Sequence, residues 1–440
     1  MKRHIKSLIL ILMLILSSCF LFSCNNDDGE ATDKVDNGKA VTLNVYNWGE
    51  YISDGFQGSL DVNKAFEEYY YEKFGVKVNV NYTTYATNED MYSKLKSGAG
   101  TYDVVFPSDY MIQKMIEEDM LLEFDVTELE NYQYVSEGLR APYYDPDERY
   151  SVPYTYGMMG VIYNKQFVDP EDYEEESWGL LWNEKYKGKI LQFNNQRDAF
   201  GSAMYYLGID VNSSDPADWE RALAKLSEQK SLLQAYVNDE IFNKMTTASA
   251  AIAPYFAGDF VTMSYQNEDL AFYYPKEGTN LFIDAMCILK NANQPEIAKE
   301  YINFMLSEEA AVANAVYIGY ASPCTLVADN GVFNEAYVEG MGEDAVELLY
   351  MVSPEEINRE YNEKFGTSCY RSFSPETQAL VNSLWESLKT ENSTELWVHI
   401  TTVVIVGGVL ALAIYNTYIK KKRSRDYRLR DKAKTANKKQ

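Results

Sequence analysis

From residue 42 onward, stretches with the two-residue period of a strand alternate with stretches of helical period, and this alternation restricts the fold more than any other feature. Residues 42–47 alternate as a strand, 62–71 have the spacing of a helix, and 76–82 alternate again with Val76, Val78 and Val80 on one face. The run Tyr102-Asp103-Val104-Val105-Phe106-Pro107 is apolar and ends at a turn, as a buried parallel strand does, and 110–119 return to helical period. The expected class is α/β, with helices on both faces of the sheet.

A strand-rich stretch at 150–165 is expected to carry the chain into a second lobe. That lobe would hold a strand at 187–193, helices at 200–207 and 216–230, an apolar strand at 248–255 and another strand at 271–274 before the turn Pro275-Lys276-Glu277-Gly278. A strand at 282–289 and helices at 295–306 and 308–316 would bring the chain back. The expected partition is 42–150 with 285–345 for the first lobe and 151–284 with 346–390 for the second. Ligands of open α/β sheets lie beyond the strand ends, so a cleft between the lobes is the expected site.

Both ends carry membrane signals. Lys2, Arg3 and Lys6 precede an apolar stretch at 8–16, the pattern of an export signal over 1–24. Cys19 and Cys24 both resemble the cysteine at which a bacterial lipoprotein is cleaved and acylated. Cys24 is preferred, because the acidic, polar residues 25–41 after it suit a tether, whereas Phe20 to Phe22 after Cys19 would leave an apolar terminus. At the other end a predominantly apolar run at 396–419, free of Asp, Glu, Lys and Arg and with His399 as its one histidine, is long enough to span a bilayer. Lys420, Lys421, Lys422 and Arg423 open a basic tail to residue 440, which the positive-inside tendency puts in the cytoplasm with the body outside.

The whole chain has a formal net charge of -26, and setting aside its basic ends makes the body more acidic still. Such a surface repels nucleic acid and concentrates small cations. Cys287, Cys324 and Cys369 remain in the body, an odd number, so Cys324 and Cys369 are open to a bridge or to separate thiols.

The two histidines are His4 and His399, in the signal and the span, so the body has none. Ser-His-Asp triads, Cys-His pairs and His-ligated zinc all need an imidazole and are excluded there. No nucleophile elbow, phosphate loop or paired C-x-x-C is present, and no cofactor or metal is expected. Carboxylate-only chemistry, such as glycoside hydrolysis, survives this filter.

Four motifs then stand out in order: Leu43-Asn44-Val45-Tyr46-Asn47-Trp48-Gly49-Glu50-Tyr51; Asp103-Val104-Val105-Phe106-Pro107-Ser108-Asp109-Tyr110; Tyr274-Pro275-Lys276-Glu277-Gly278 with Asp284; and Ile318-Gly319-Tyr320. Together they resemble the spermidine/putrescine-binding proteins of ABC importers, over most of the body. The resemblance implies a two-lobed periplasmic-binding-protein fold of type II, a polyamine held between the lobes, permease subunits as partners and no enzymatic activity. It also implies a ligand box. Trp48 and Tyr51 match the family's first aromatic pair, and Ser108 and Tyr110 the next loop. Asp198 matches an amine-binding acid, but Asn195 stands where spermidine-type members carry another. Phe256-Ala257-Gly258-Asp259 resembles the W-A-G-D of putrescine-type members, Phe282 takes an aromatic position, Asp284 matches the central acid and Tyr320 closes the box. The family's C-terminal glutamine has no match, Arg371 being the nearest residue.

A polyamine is a flexible hydrocarbon with ammonium ends, so its site needs carboxylates for the ends and rings for the methylenes. Asp284, inside the apolar stretch 281–289, is costly unless paired and so points to a ligand or a salt bridge. Asp198 and Asp259 sit beside expected helix starts and are open to a capping role, and Asn195 to accepting a hydrogen bond from an amine. A binding protein for thiamine or a betaine would keep the rings and use fewer acids. A glycan hydrolase would use the same acids for catalysis.

Overall fold

Capping residues fix where the helices begin and end. Asp61 accepts from the backbone of Lys64 to open the helix Val62–Phe74, and Gly75, at φ 70°, ends it in the left-handed conformation that other residues resist. Asp215 caps the helix Pro216–Lys230, whose proline stands in the first turn, where its missing N–H goes unneeded. The computed structural model describes residues 40–329, 332–333, 335–351, 358–366 and 368–390.

Nine strands form one connected path. β1 (Val41–Trp48) lies between β2 (Val78–Tyr85) and β3 (Val104–Val105), parallel to both. β3 is antiparallel to β9 (Leu281–Ile288), and β9 is antiparallel to the first half of the long β4 (Ser151–Asn164). The register slips between Pro153 and Thr155, where a proline in mid-strand needs such an irregularity. The second half of β4 pairs with β7 (Ile252–Phe256) and β8 (Leu270–Tyr273). β7 continues to β5 (Ile190–Phe193) and β5 to β6 (Leu233–Val237), both in parallel.

Four groups of apolar residues pack among the described residues, and two of them form the main cores around this path. Leu43, Val45, Phe66, Val104, Phe106, Met286 and Tyr301 belong to the core beside β1 and β9, with the helices Pro295–Met305 and Glu308–Ile318 against it. Trp178, Phe193, Phe200, Met204, Trp219 and Ile252 belong to the core beside β5 and β7. Val381 and Leu388, from the helix Pro375–Thr390, return to that second core.

Several strands are shorter than the hydrophobic pattern implies. Val76 is exposed and precedes β2, which begins at Val78. Of the run 102–107 only Val104 and Val105 form the strand, while the Asp103 carboxylate accepts from the backbone of Asn44, Asn293 and Gln294. β5 begins at Ile190, after a 3-10 turn at Glu184–Tyr186. The helices Asn88–Lys96, Glu240–Thr246 and Ala257–Ser264 and strand β6 come in addition to the expected elements. Cys287 and Cys324 are buried thiols, and no disulfide joins Cys324 to Cys369.

The expected signal at 1–24 with Cys19 and Cys24, the tether up to residue 39, the span at 396–419 and the tail at 420–440 lie outside the described residues. Among the described residues no helix is long and apolar enough to cross a membrane.

Candidate functional site

The strand ends converge on one cavity, lined by all ten residues expected at the site: Trp48, Tyr51, Ser108, Tyr110, Asp198, Phe256, Asp259, Phe282, Asp284 and Tyr320. Trp48 closes β1, and its indole N–H donates to the carbonyl of Phe106 at 2.8 Å. Tyr85 donates to the same carbonyl at 2.6 Å, with its ring 4.6 Å from the indole, so Trp48 is fixed from two sides. The Tyr51, Tyr320, Phe282 and Phe256 rings form a continuous wall, with successive centroids 5.2, 6.0 and 5.3 Å apart. Phe256 packs against both of these cores, and Tyr110 packs against the core beside β5 and β7 and against the smaller group that holds Tyr46, Val105 and Ile283.

Three acids are spread along this wall. Asp284 lies in β9, buried, with Oδ2 accepting from the Tyr51 hydroxyl at 2.7 Å and Oδ1 buried without a partner. Burial pushes its carboxyl up to about 6 against the opposing pull of the Ser108 and Tyr51 hydroxyls. Asp259 stands in the first turn of the helix Ala257–Ser264 and accepts from the Tyr320 hydroxyl at 2.8 Å. Burial, with the neighbouring Asp239 and Glu50 charges, pushes it up to about 8. Asp198 stands in the first turn of the helix Gln196–Leu207, and burial, with the charge of Glu89, pushes it up to about 7. None of the three forms an ion pair with a basic side chain among the described residues.

Neither Asp198 nor Asp259 is a cap. Asn195 caps the helix Gln196–Leu207: its Oδ1 accepts from the Asp198 N–H at 2.8 Å and its Nδ2 donates to Asp198 Oδ2 at 2.8 Å. Both ends of that amide are bonded to Asp198, and Asn195 lines the cavity with a second lone pair on its oxygen open to a donor. Arg371 does not line the cavity, and its guanidinium lies 3.4 Å from the Tyr143 ring centroid. Ser108 and Tyr110 are joined through Asn88, whose Nδ2 donates to the Ser108 hydroxyl at 3.0 Å and to the Tyr110 hydroxyl at 3.1 Å.

Glu50, Glu89, Asp109 and Asp239 also line the cavity and were not among the expected residues. Glu50 and Asp109 fall inside the motifs that identified Trp48, Tyr51, Ser108 and Tyr110, so their proximity was there to be read. Glu89 opens the helix Asn88–Lys96, announced only by its cap Thr87, and Asp239 precedes the seven-residue helix Glu240–Thr246. Gly49 allows a close approach here, since a Cβ on it would lie 2.4 Å from Asp239 Oδ2.

The family model described as "Bacterial extracellular solute-binding protein" matches residues 100–340. The chain is 32% identical over 283 residues to the spermidine/putrescine-binding periplasmic protein of Escherichia coli (strain K12), covering 64% of this chain and 77% of that one. It is 28% identical over 294 residues to the putrescine/cadaverine-binding protein of Pseudomonas aeruginosa, covering 64% and 80%. In structure it is similar to the spermidine/putrescine ABC transporter substrate-binding protein of Streptococcus pneumoniae, with a TM-score of 0.60, 30% identity and coverage of 80% and 99%. The two lobes joined by β4 and β9 are those of the periplasmic-binding-protein fold, and the chain belongs to the bacterial extracellular solute-binding protein family.

Proposed function

We propose that this chain is the substrate-binding component of a polyamine importer, taking up spermidine or putrescine outside the membrane and delivering it to the permease of an ABC transporter. One observation carries the reading: Asp284, a buried carboxylate without a basic partner among the described residues, lines an aromatic-walled cavity. An acid in that setting is stabilised by an incoming ammonium, and burying the pair unmade costs several kcal/mol. The ring wall suits the methylenes, and each desolvated cation–π contact adds about 2 kcal/mol. Asp198 and Asp259 on either side supply further charge for an elongated cation, which a singly charged betaine would leave unused. The named ligands of the relatives support the same reading. The ten cavity residues act as binding groups rather than as catalysts.

The body is held at the outer membrane surface by acylated Cys24, by the span at 396–419, or by both, with the basic tail in the cytoplasm. This topology keeps the binding lobes within reach of the permease.

The test is calorimetric titration of the intact chain in mild detergent with spermidine, putrescine, thiamine and glycine betaine. Micromolar or tighter binding of a polyamine and weak binding of the other two is the expected result. A folded protein that binds neither polyamine sinks the proposal.

A further inference from the structure

The acid that the family resemblance places three residues before Asp198 is missing, and Asn195 in its place is committed to capping. The same end of the cavity receives a carboxylate from the other side. Glu89 stands in the first turn of the helix Asn88–Lys96, packed with the β1 side of the molecule, whereas Asp198 belongs to the β5 side. Glu89 Oε1 accepts from the Tyr110 hydroxyl at 3.1 Å. The Tyr110 ring lies 5.6 Å from the guanidinium of Arg197, the residue beside Asp198, and 6.1 Å from the ring of Tyr370. Tyr370 lines the same cavity, and its buried hydroxyl acts on the Asp198 carboxylate, opposing the rise that burial causes.

We infer that Glu89 and Asp198 form a pair across the cleft that holds one terminal ammonium of the ligand, Glu89 supplying the acid that residue 195 lacks. The inference rests on the polyamine reading above. Arg197 does not satisfy the pair. Its Nη1 donates to the carbonyl of Val211, its Nη2 to Asn212 Oδ1 and to the carbonyl of Arg371, and its Nε has no partner. Its planar face is occupied too, 3.7 Å from the Phe373 ring centroid and 4.3 Å from that of Tyr370. Both acids also stay out of ion pairs with lysine among the described residues. The charge of Glu89 contributes to raising Asp198, the signature of two carboxylates sharing one region. The Arg197 charge lowers both acids but forms no ion pair with either, so it offsets their repulsion only in part, and an ammonium between them converts the remainder into a bridge across the lobes.

The experiment is a double-mutant cycle with spermidine on the intact chain, using wild type, E89Q, N195D and E89Q/N195D. Aspartate caps a helix as well as asparagine does, so N195D keeps the cap and restores an acid, while replacing the amide donor to Asp198 Oδ2 with a second carboxylate oxygen. We expect E89Q to weaken binding by about tenfold or more, from the loss of a charge-assisted contact. N195D alone should change affinity by less than about threefold, and the double variant should regain most of the loss. Glu89→Ala, which removes the side chain, should lose at least as much as E89Q, giving the same reading from a second variant. E89Q or Glu89→Ala binding as tightly as wild type, or N195D having one effect in both backgrounds, overturns the pair. A wild-type protein that binds no polyamine instead removes the reading on which it rests.

Discussion

The Tyr51 hydroxyl donates to Asp284 Oδ2 at 2.7 Å while lying 2.5 Å from Thr155 Oγ1, so one oxygen of the central acid is held and the other is left bare. The two residues therefore differ in what their loss should do. Asp284→Asn removes the charge that meets the amine, and we expect polyamine affinity to fall about a hundredfold or more. Tyr51→Phe removes only the hydroxyl that orients the acid, worth about 1 kcal/mol, and should cost about fivefold. Calorimetry on both variants checks the order, and a larger loss in Tyr51→Phe would reverse the roles.

Binding should depend on pH in a fixed direction. Burial raises Asp284, Asp198 and Asp259 from 3.8 to about 6, 7 and 8, so the ligand-free protein holds protons on them that an unfolded chain has released. For these groups stability is greatest below the ordinary aspartate range and is lost as pH rises through about 6 to 8, so the ligand-free Tm should fall across that window. Ammonium groups favour the charged acids, so binding releases protons and affinity rises from about pH 5 to about pH 8. Titrations in buffers of different ionisation enthalpy measure that release, and net proton uptake would contradict it.

Gly258 lies beneath the Tyr320 ring, where a Cβ would come within 2.3 Å of Cδ2 and 2.6 Å of Cε2 and Cγ. Gly258→Ala must displace a rigid ring, and with it the hydroxyl bound to Asp259. We expect about a tenfold loss of polyamine affinity together with a lower Tm. Unchanged values of both would show that Tyr320 moves freely.

The anchoring proposal separates into two signals. Cys24→Ser should abolish labelling by a fatty-acid analogue yet leave the protein with the membrane fraction. Cys24→Ser combined with truncation after residue 390 should release the body. Labelling that survives Cys24→Ser and is lost in Cys19→Ser would move acylation to Cys19.

How much of this could be read beforehand follows physical lines. Asp284 was legible because a carboxylate inside an apolar run must have a partner, and Trp48, Tyr51, Ser108 and Tyr110 because their motifs resemble those of spermidine/putrescine-binding proteins. Asp198 and Asp259 were legible as acids, but the acids beside them were not. Glu89 and Asp239 reach the cavity from short, polar helices without a broad apolar face, so no local periodicity marks them. The nearness of Glu89 to Asp198 depends on how the two halves pack, and that of Asp239 to Asp259 on how the helices Glu240–Thr246 and Ala257–Ser264 pack within one half, and strand or helix period carries no information about either. Asn195 shows the converse limit: its residue type suited a ligand role, and only the bonds to Asp198 reveal a cap.

β4 is hydrogen-bonded to β9 along Ser151–Met158 and to β7 and β8 along Met159–Asn164. It therefore belongs wholly to neither lobe, and the last helix returns to a core that β1 never touches. Cutting the molecule between its lobes would split a strand and leave each fragment with an open sheet edge. Neither half is a module that could be inherited, exchanged or expressed alone, and the unit of folding here is the full stretch from β1 to the helix Pro375–Thr390.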